Sequence, residues 1–138
     1  WELPLLIVVE NNRYAQSTKI ELTLAGQIKN RFTAFNIETE ELDTFNVSII
    51  QKVSSKMISK IRSSNKPGCL ILNTYRFASH SKSDDGRSKR EVDKWKQKDP
   101  LKITEKELAE NVVKDIQFEV SDLISNEISK AIKMPMSE

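Results

Sequence analysis

The chain has one cysteine, one histidine and three glycines in 138 residues, and each scarcity removes a class of chemistry. With Cys69 alone, neither a disulfide framework within the chain nor a CxxC-type zinc cluster can form. Cys69 reads instead as a small core residue at the head of a strand. Glycines stand only at 26, 68 and 86, so Walker-type and GxGxxG phosphate loops are excluded. The longest apolar run, Leu5 to Val9, is far short of the ~20 residues that span a bilayer. No charged-then-apolar signal segment opens the chain. Net charge is +2 and mean hydropathy is −0.50. The expectation is a soluble globular protein of a reducing space such as the cytoplasm, long enough for one cored domain. The start at Trp1-Glu2-Leu3-Pro4, with no methionine and a strand almost at once, reads as a chain entered in the middle of a fold.

What is present is an alternation of elements. Leu5 to Glu10 is a continuous apolar strand of the kind expected with both faces covered. Asn11 to Ser17 is a loop. Thr18 and Glu21 have capping-box spacing, predicting a helix carrying Ile20, Leu24, Ile28 and Phe32 to about residue 30 or 34. Phe35 to Thr39 reads as a short strand. Val47, Ile50, Val53, Met57 and Ile61 predict a helix over 44–63, broken by Pro67 and Gly68. Cys69 to Phe77 is a third strand. Residues 78–90 form a long polar loop, followed by a short helix ended by Pro100. Thr104 and Glu107 form a second capping box before a long amphipathic helix with Ala109, Val112, Ile116, Val120, Leu123, Ile128 and Ala131. The pattern predicts an α/β fold, a parallel sheet with crossover helices plus C-terminal helices.

Two places carry chemistry, each just past the carboxyl end of a strand, where open α/β sheets bind ligands. One is Asn11-Asn12-Arg13-Tyr14; the other is the loop holding His80. The asparagine pair has two readings, an ordinary turn or an amide oxygen on a metal. Basic residues between Lys82 and Lys98 are interleaved with acidic ones and have no aromatic platform between them, so a solvated mixed-charge segment is expected and no nucleic-acid partner. A Cys69–His80 catalytic pair is disfavoured, because the two lie at opposite ends of one strand.

The segments "VVENNRYAQST" and "TYRFASHSKSDDGRSKREVDKWKQKDPL" resemble the alpha subunit of the decarboxylating first component of thiamine-diphosphate-dependent 2-oxo acid dehydrogenases. That group includes the pyruvate, branched-chain 2-oxo acid and acetoin enzymes. The resemblance runs in order over nearly the whole chain and implies half of a thiamine-diphosphate-binding fold. It implies thiamine diphosphate and Mg2+ as cofactors. Asn12 would give a side-chain oxygen to the metal and Tyr14 its backbone carbonyl. His80 would lie against the diphosphate end of the cofactor as the catalytic-site histidine. Neutral oxygens suit Mg2+ there, since the diphosphate brings the negative charge. Ser81 and Ser88 fall on positions phosphorylated in mitochondrial members, a regulation not expected here. Arg76 and Arg90 match loop-supporting arginines.

The family's Gly-Asp-Gly, which brings the carboxylate ligand, is absent from these residues, and Ala78 replaces a histidine of pyruvate-type relatives. The resemblance implies a beta-type subunit and a lipoyl-bearing acyltransferase as partners, and a missing amino-terminal half or partner chain. The expected division is 1–90 for the half-domain and 91–138 for a helical extension packed on it. The chain alone is expected to be inactive, and an oligomer is expected, with no membrane partner. The alternative is a non-catalytic interaction or scaffold module retaining the half-fold.

Overall fold

The computed structural model describes residues 1–82 and 85–135. Three parallel strands make the main sheet: β1 (Leu6–Asn11), β4 (Glu38–Leu42) and β5 (Gly68–Asn73), in the order β1-β5-β4. The register sets Leu6 and Glu38 on either side of Gly68, and Asn11 opposite Asn73. The expected α/β parallel sheet with crossover helices is therefore present. Among the described residues β5 is the central strand, its Cys69, Leu70 and Ile71 almost wholly buried. Among those residues β1 has β5 as its one neighbour, and Val8 remains 52% exposed. The cover expected on both faces of "LLIVV" is thus found for β5 instead.

The crossover from β4 to β5 is helix α3 (Val47–Ser64). Asn46 caps its start, with Oδ1 accepting from Ile49 N at 3.1 Å. Asn65 ends it in the left-handed conformation at φ 54°, a normal stop before a proline. Met57 and Ile61 are its buried residues. Gly68 permits the close approach, since a Cβ there would lie 2.9 Å from Ile61 Cδ1.

The first crossover differs from its expectation. Tyr14–Ala15 (β2) and Thr18–Lys19 (β3) pair as a tiny antiparallel hairpin. Thr18 is thus extended and caps nothing; a short helix α1 (Ile20–Thr23) follows with no side-chain cap. Gly26, at φ 73°, breaks the path before α2 (Ile28–Thr33). A four-residue apolar spacing cannot distinguish one helix from two short ones separated by a left-handed glycine. The second strand also lies later than expected, at Glu38–Leu42, because Asn36 turns the chain at φ 58°.

Beyond the sheet, α4 (Lys89–Lys96) is the expected short helix, but Pro100 opens the next one, α5 (Pro100–Glu105). Proline tolerates a first-turn position because its missing N–H would be unpaired there anyway. Thr104 therefore lies inside α5, and the long α6 (Glu110–Lys133) begins from Ala109 with no side-chain cap. The chain divides into two compact units, Trp1–Pro100 and Leu101–Glu138. The first contains the sheet and α4. In the second, Val112, Ile116, Val120, Leu123, Ile124 and Ile128 of α6 are all substantially exposed. No helix among the described residues is long and apolar enough to cross a membrane.

Candidate functional site

The carboxyl ends of β1 and β5 lie side by side, and the loops leaving them are built by hydrogen bonds rather than by apolar packing. After β1, Asn11 Oδ1 accepts from Arg13 N at 3.1 Å and Asn12 Oδ1 accepts from Tyr14 N at 3.0 Å. These overlapping side-chain turns hold Arg13 at φ 69°, an uncommon conformation for a residue with a Cβ. Local asparagine turns of this type are ordinary. The Asn12 carbonyl oxygen has two lone pairs, however, and this contact uses one. Asn12 and Tyr14 also line a cavity of about 270 Å³ with Glu10, Asn11, Ala15, Ile20 and Ile28.

After β5 the chain enters a polar aromatic cluster. Tyr14 and Tyr75 meet edge to face at 6.1 Å, and Trp95 of α4 stacks on Tyr75 at 5.0 Å. Both tyrosine hydroxyls donate to Glu91 Oε1, at 2.6 and 2.9 Å. Burial, reinforced by the Glu91 carboxylate, pushes both phenols above their ordinary pKa. The Tyr14 hydroxyl bond, in return, holds Glu91 below the usual carboxylate value. Each shift favours a neutral phenol on a charged acceptor.

Arg87 is the pin of the loop. Its side chain is only 3% exposed, with the guanidinium 5.5 and 5.2 Å from the Tyr14 and Tyr75 ring centroids. It donates to the carbonyls of Arg76 and Ala78 and to both oxygens of Asp85. The Arg87 hydrogen bonds hold the Asp85 carboxyl down at about 2. Arg76 ties the two loops together, giving Nη2 to Gln16 O at 2.7 Å and Nε to Ala78 O at 3.1 Å.

His80 is exposed, with Nδ1 3.5 Å from Arg76 Nη1. It does not line the cavity beside Asn12. Cys69 is fully buried near the start of β5, burial raising its thiol, while His80 lies beyond the far end of that strand. Among the described residues no group of three or more His, Cys, Asp or Glu could hold a metal. Asn12 and Tyr14 offer neutral oxygens, and no carboxylate cluster accompanies them among the described residues.

A profile of the family described as "Dehydrogenase E1 component" matches residues 1–138. The chain belongs to the dehydrogenase E1 component family. Similar curated proteins carry the name pyruvate dehydrogenase E1 component subunit alpha. One from Rhizobium meliloti (strain 1021) is 33% identical over 136 residues, covering 91% of this chain and 39% of that protein. One from Porphyra purpurea is 30% identical, covering 100% of this chain and 39% of that protein. One from Rickettsia felis is 26% identical, covering 100% of this chain and 45% of that protein. The chain thus spans less than half the length of these relatives.

Within this dehydrogenase E1 component chain, several site-building residues escape a reading of motifs. Arg87, not Arg90, is the arginine buried in the loop. Glu91 and Trp95 belong to the Glu-Val-x-x-Trp element that carries the resemblance, but nothing in their spacing shows that they reach Tyr14 and Tyr75. Ser88 caps α4, its Oγ accepting from Glu91 N at 3.2 Å, so its place is structural as well as surface-facing. Ser83 and Asp84 of the "HSKSDD" motif lie outside the described residues.

Proposed function

We propose that this chain forms part of the alpha subunit of a thiamine-diphosphate-dependent 2-oxo acid dehydrogenase and carries part of its Mg2+–diphosphate site. Asn12 gives its side-chain oxygen to the metal and Tyr14 its backbone carbonyl. His80 stands at the loop that meets the diphosphate end of the cofactor. The observation that carries the reading is the cavity beside Asn12 and Tyr14, at the carboxyl end of a parallel strand in a chain of this family. Two neutral oxygens match the hard, oxygen-preferring coordination of Mg2+ when the diphosphate balances its charge. When bound, thiamine diphosphate supplies the carbanion-stabilising chemistry, and the protein positions it and tunes its electrostatics.

The residues of this chain then have defined tasks. Asn12 and Tyr14 anchor the metal. The Arg87 pin and the Arg76 bridge hold the His80 loop beside the β2–β3 hairpin. No nucleophilic side chain is called for, in accord with the buried Cys69. The reaction in which the complete enzyme takes part is oxidative decarboxylation of a 2-oxo acid, or the equivalent acetoin cleavage, with acyl transfer to a lipoyl group. It requires a beta-type subunit, a lipoyl-bearing acyltransferase and residues beyond this chain, within an oligomer of the cytoplasm. This piece alone is inactive. Domain limits follow the same reading, a half-domain over 1–90 and a helical extension over 91–138, with α4 crossing that limit and joined by its contacts to the first.

The other reading, a non-catalytic interaction module, draws on the exposed apolar residues of α6. Titrating thiamine diphosphate into the complete enzyme at fixed Mg2+ separates the two. Asn12→Ala should raise the cofactor concentration needed for half-maximal activity by tenfold or more, the equivalent of about 1.4 kcal/mol. An unchanged requirement would return Asn12 to the role of a plain turn residue, and the absence of any cofactor-dependent activity would favour the module.

A further inference from the structure

Asn73 is the last residue of β5 and the register partner of Asn11. Its Oδ1 accepts from Asn11 Nδ2 at 2.8 Å, and its Nδ2 donates to Glu41 Oε1 at 3.0 Å. A side-chain ladder therefore crosses β1, β5 and β4 where the loops leave the sheet. The Asn11 amide is engaged at both ends, because its Oδ1 accepts from Arg13 N at 3.1 Å. Its main-chain carbonyl is fixed as well, by Thr74 N at 2.9 Å.

Downstream of this anchor the chain makes its left-handed turn at Arg13, which is disfavoured for a residue bearing a Cβ. Arg13 separates Asn12 from Tyr14, so that turn sets where the Asn12 Oδ1 and the Tyr14 carbonyl lie relative to each other. We infer that Asn73 is a positioning residue for the metal-binding loop, holding the Asn11 amide that holds the Arg13 turn, with Glu41 fixing Asn73 from the other side. The inference rests on the magnesium reading of Asn12 and Tyr14. An amide at position 73 makes both contacts, because it accepts from Asn11 with one atom while donating to Glu41 with the other. Aspartate keeps the first contact and loses the second; leucine loses both.

The experiment is calorimetric titration of thiamine diphosphate, at fixed Mg2+, into the complete enzyme carrying Asn73→Leu, Asn73→Asp, Asn11→Ala, Asn11→Ala with Asn73→Leu, or Asn12→Ala. Melting curves and kcat at saturating cofactor are measured beside it. Asn73→Leu should weaken cofactor binding about tenfold while kcat at saturation stays near that of the unaltered enzyme. On the Asn11→Ala background it should add nothing, the signature of two residues acting through one contact. Asn73→Asp, which keeps the Asn11 contact but sets a second carboxylate against Glu41, should weaken binding less than Asn73→Leu does.

Unaltered binding in Asn73→Leu while Asn12→Ala is weakened would overturn the positioning role alone. Additive losses from Asn11→Ala and Asn73→Leu would do the same. Unaltered binding in Asn12→Ala would remove the magnesium reading and this inference with it. Should Asn73→Leu fail to fold, Asn11→Ala decides: unaltered binding there, while Asn12→Ala is weakened, contradicts the role.

Discussion

The Tyr14 hydroxyl donates to Glu91 Oε1 at 2.6 Å across 77 residues of sequence. One residue follows directly from the loop after β1 and the other belongs to α4, so this bond fastens the helix to the end of the sheet. Tyr75 donates to the same oxygen at 2.9 Å. A single carboxylate oxygen therefore joins the loop after β1, the segment after β5, and α4.

Glu91→Ala should be destabilising, because it leaves the hydroxyls of buried Tyr75 and half-buried Tyr14 without their acceptor. An unsatisfied buried polar group costs about 1–3 kcal/mol, and the 26% exposure of the Glu91 side chain favours the lower end. Glu91→Gln retains an acceptor oxygen and should recover much of the loss. Chemical denaturation of the complete protein and both variants measures the difference. Equal losses in the two would mean that charge, rather than the shared acceptor, is what Glu91 provides.

Arg87→Lys should behave like Arg87→Ala rather than like the unaltered protein. A lysine ammonium cannot reproduce the planar fork that reaches two carbonyls and the Asp85 carboxylate together. Both variants should expose the segment around Lys82 to trypsin faster than Arg90→Gln does. Protection in Arg87→Lys equal to that of the unaltered protein would show that a simple positive charge suffices.

The parts of this structure legible beforehand are those governed by periodicity and local caps. Met57 and Ile61 share one face of a helix in the sequence and in the fold, and β1 and β5 are apolar runs of strand length. The parallel sheet and the nearness of the two loops that leave β1 and β5 follow from that alternation, although β5 ends at Asn73 and not at Phe77 as its apolar start suggests. What was not legible depends on left-handed residues and on long-range polar contacts. Gly26 splits an apparent single helix, and the Tyr14–Ala15 and Thr18–Lys19 hairpin uses a threonine otherwise suited to a cap. Arg87 is a charged residue in a polar run, and only the folded chain brings it between two tyrosine rings. Asn73 likewise reads as an interior residue of a strand expected to run from Cys69 to Phe77, whereas β5 ends at Asn73, in register with Asn11.

Acid should loosen the loop first. The folded Asp85 carboxyl, at about 2, lies below its ordinary 3.8. Its contribution to stability is therefore full above about pH 4 and is lost as the pH falls toward the folded value. Glu91, also lowered, acts with the same sign. Denaturation midpoints of the unaltered protein should fall more steeply between about pH 4 and 2 than those of Asp85→Asn. Parallel slopes would show that the Arg87–Asp85 pair does not set the acid limit.

Ser88→Ala should lower stability by about 1 kcal/mol through loss of the α4 cap, while cofactor affinity stays unchanged. Ser88→Asp, which preserves a capping oxygen, should restore the stability. Thermal melting together with cofactor titration of the complete enzyme checks both; a loss of affinity in Ser88→Ala would draw Ser88 into the binding site.

The most direct measurement is a crystal structure of the complete enzyme with thiamine diphosphate and Mg2+. The account predicts the Asn12 side-chain oxygen and the Tyr14 backbone carbonyl both at the Mg2+–oxygen coordination distance of about 2.0–2.1 Å, with Arg13 still left-handed between them. A metal–diphosphate bound with neither oxygen in its coordination sphere would contradict it.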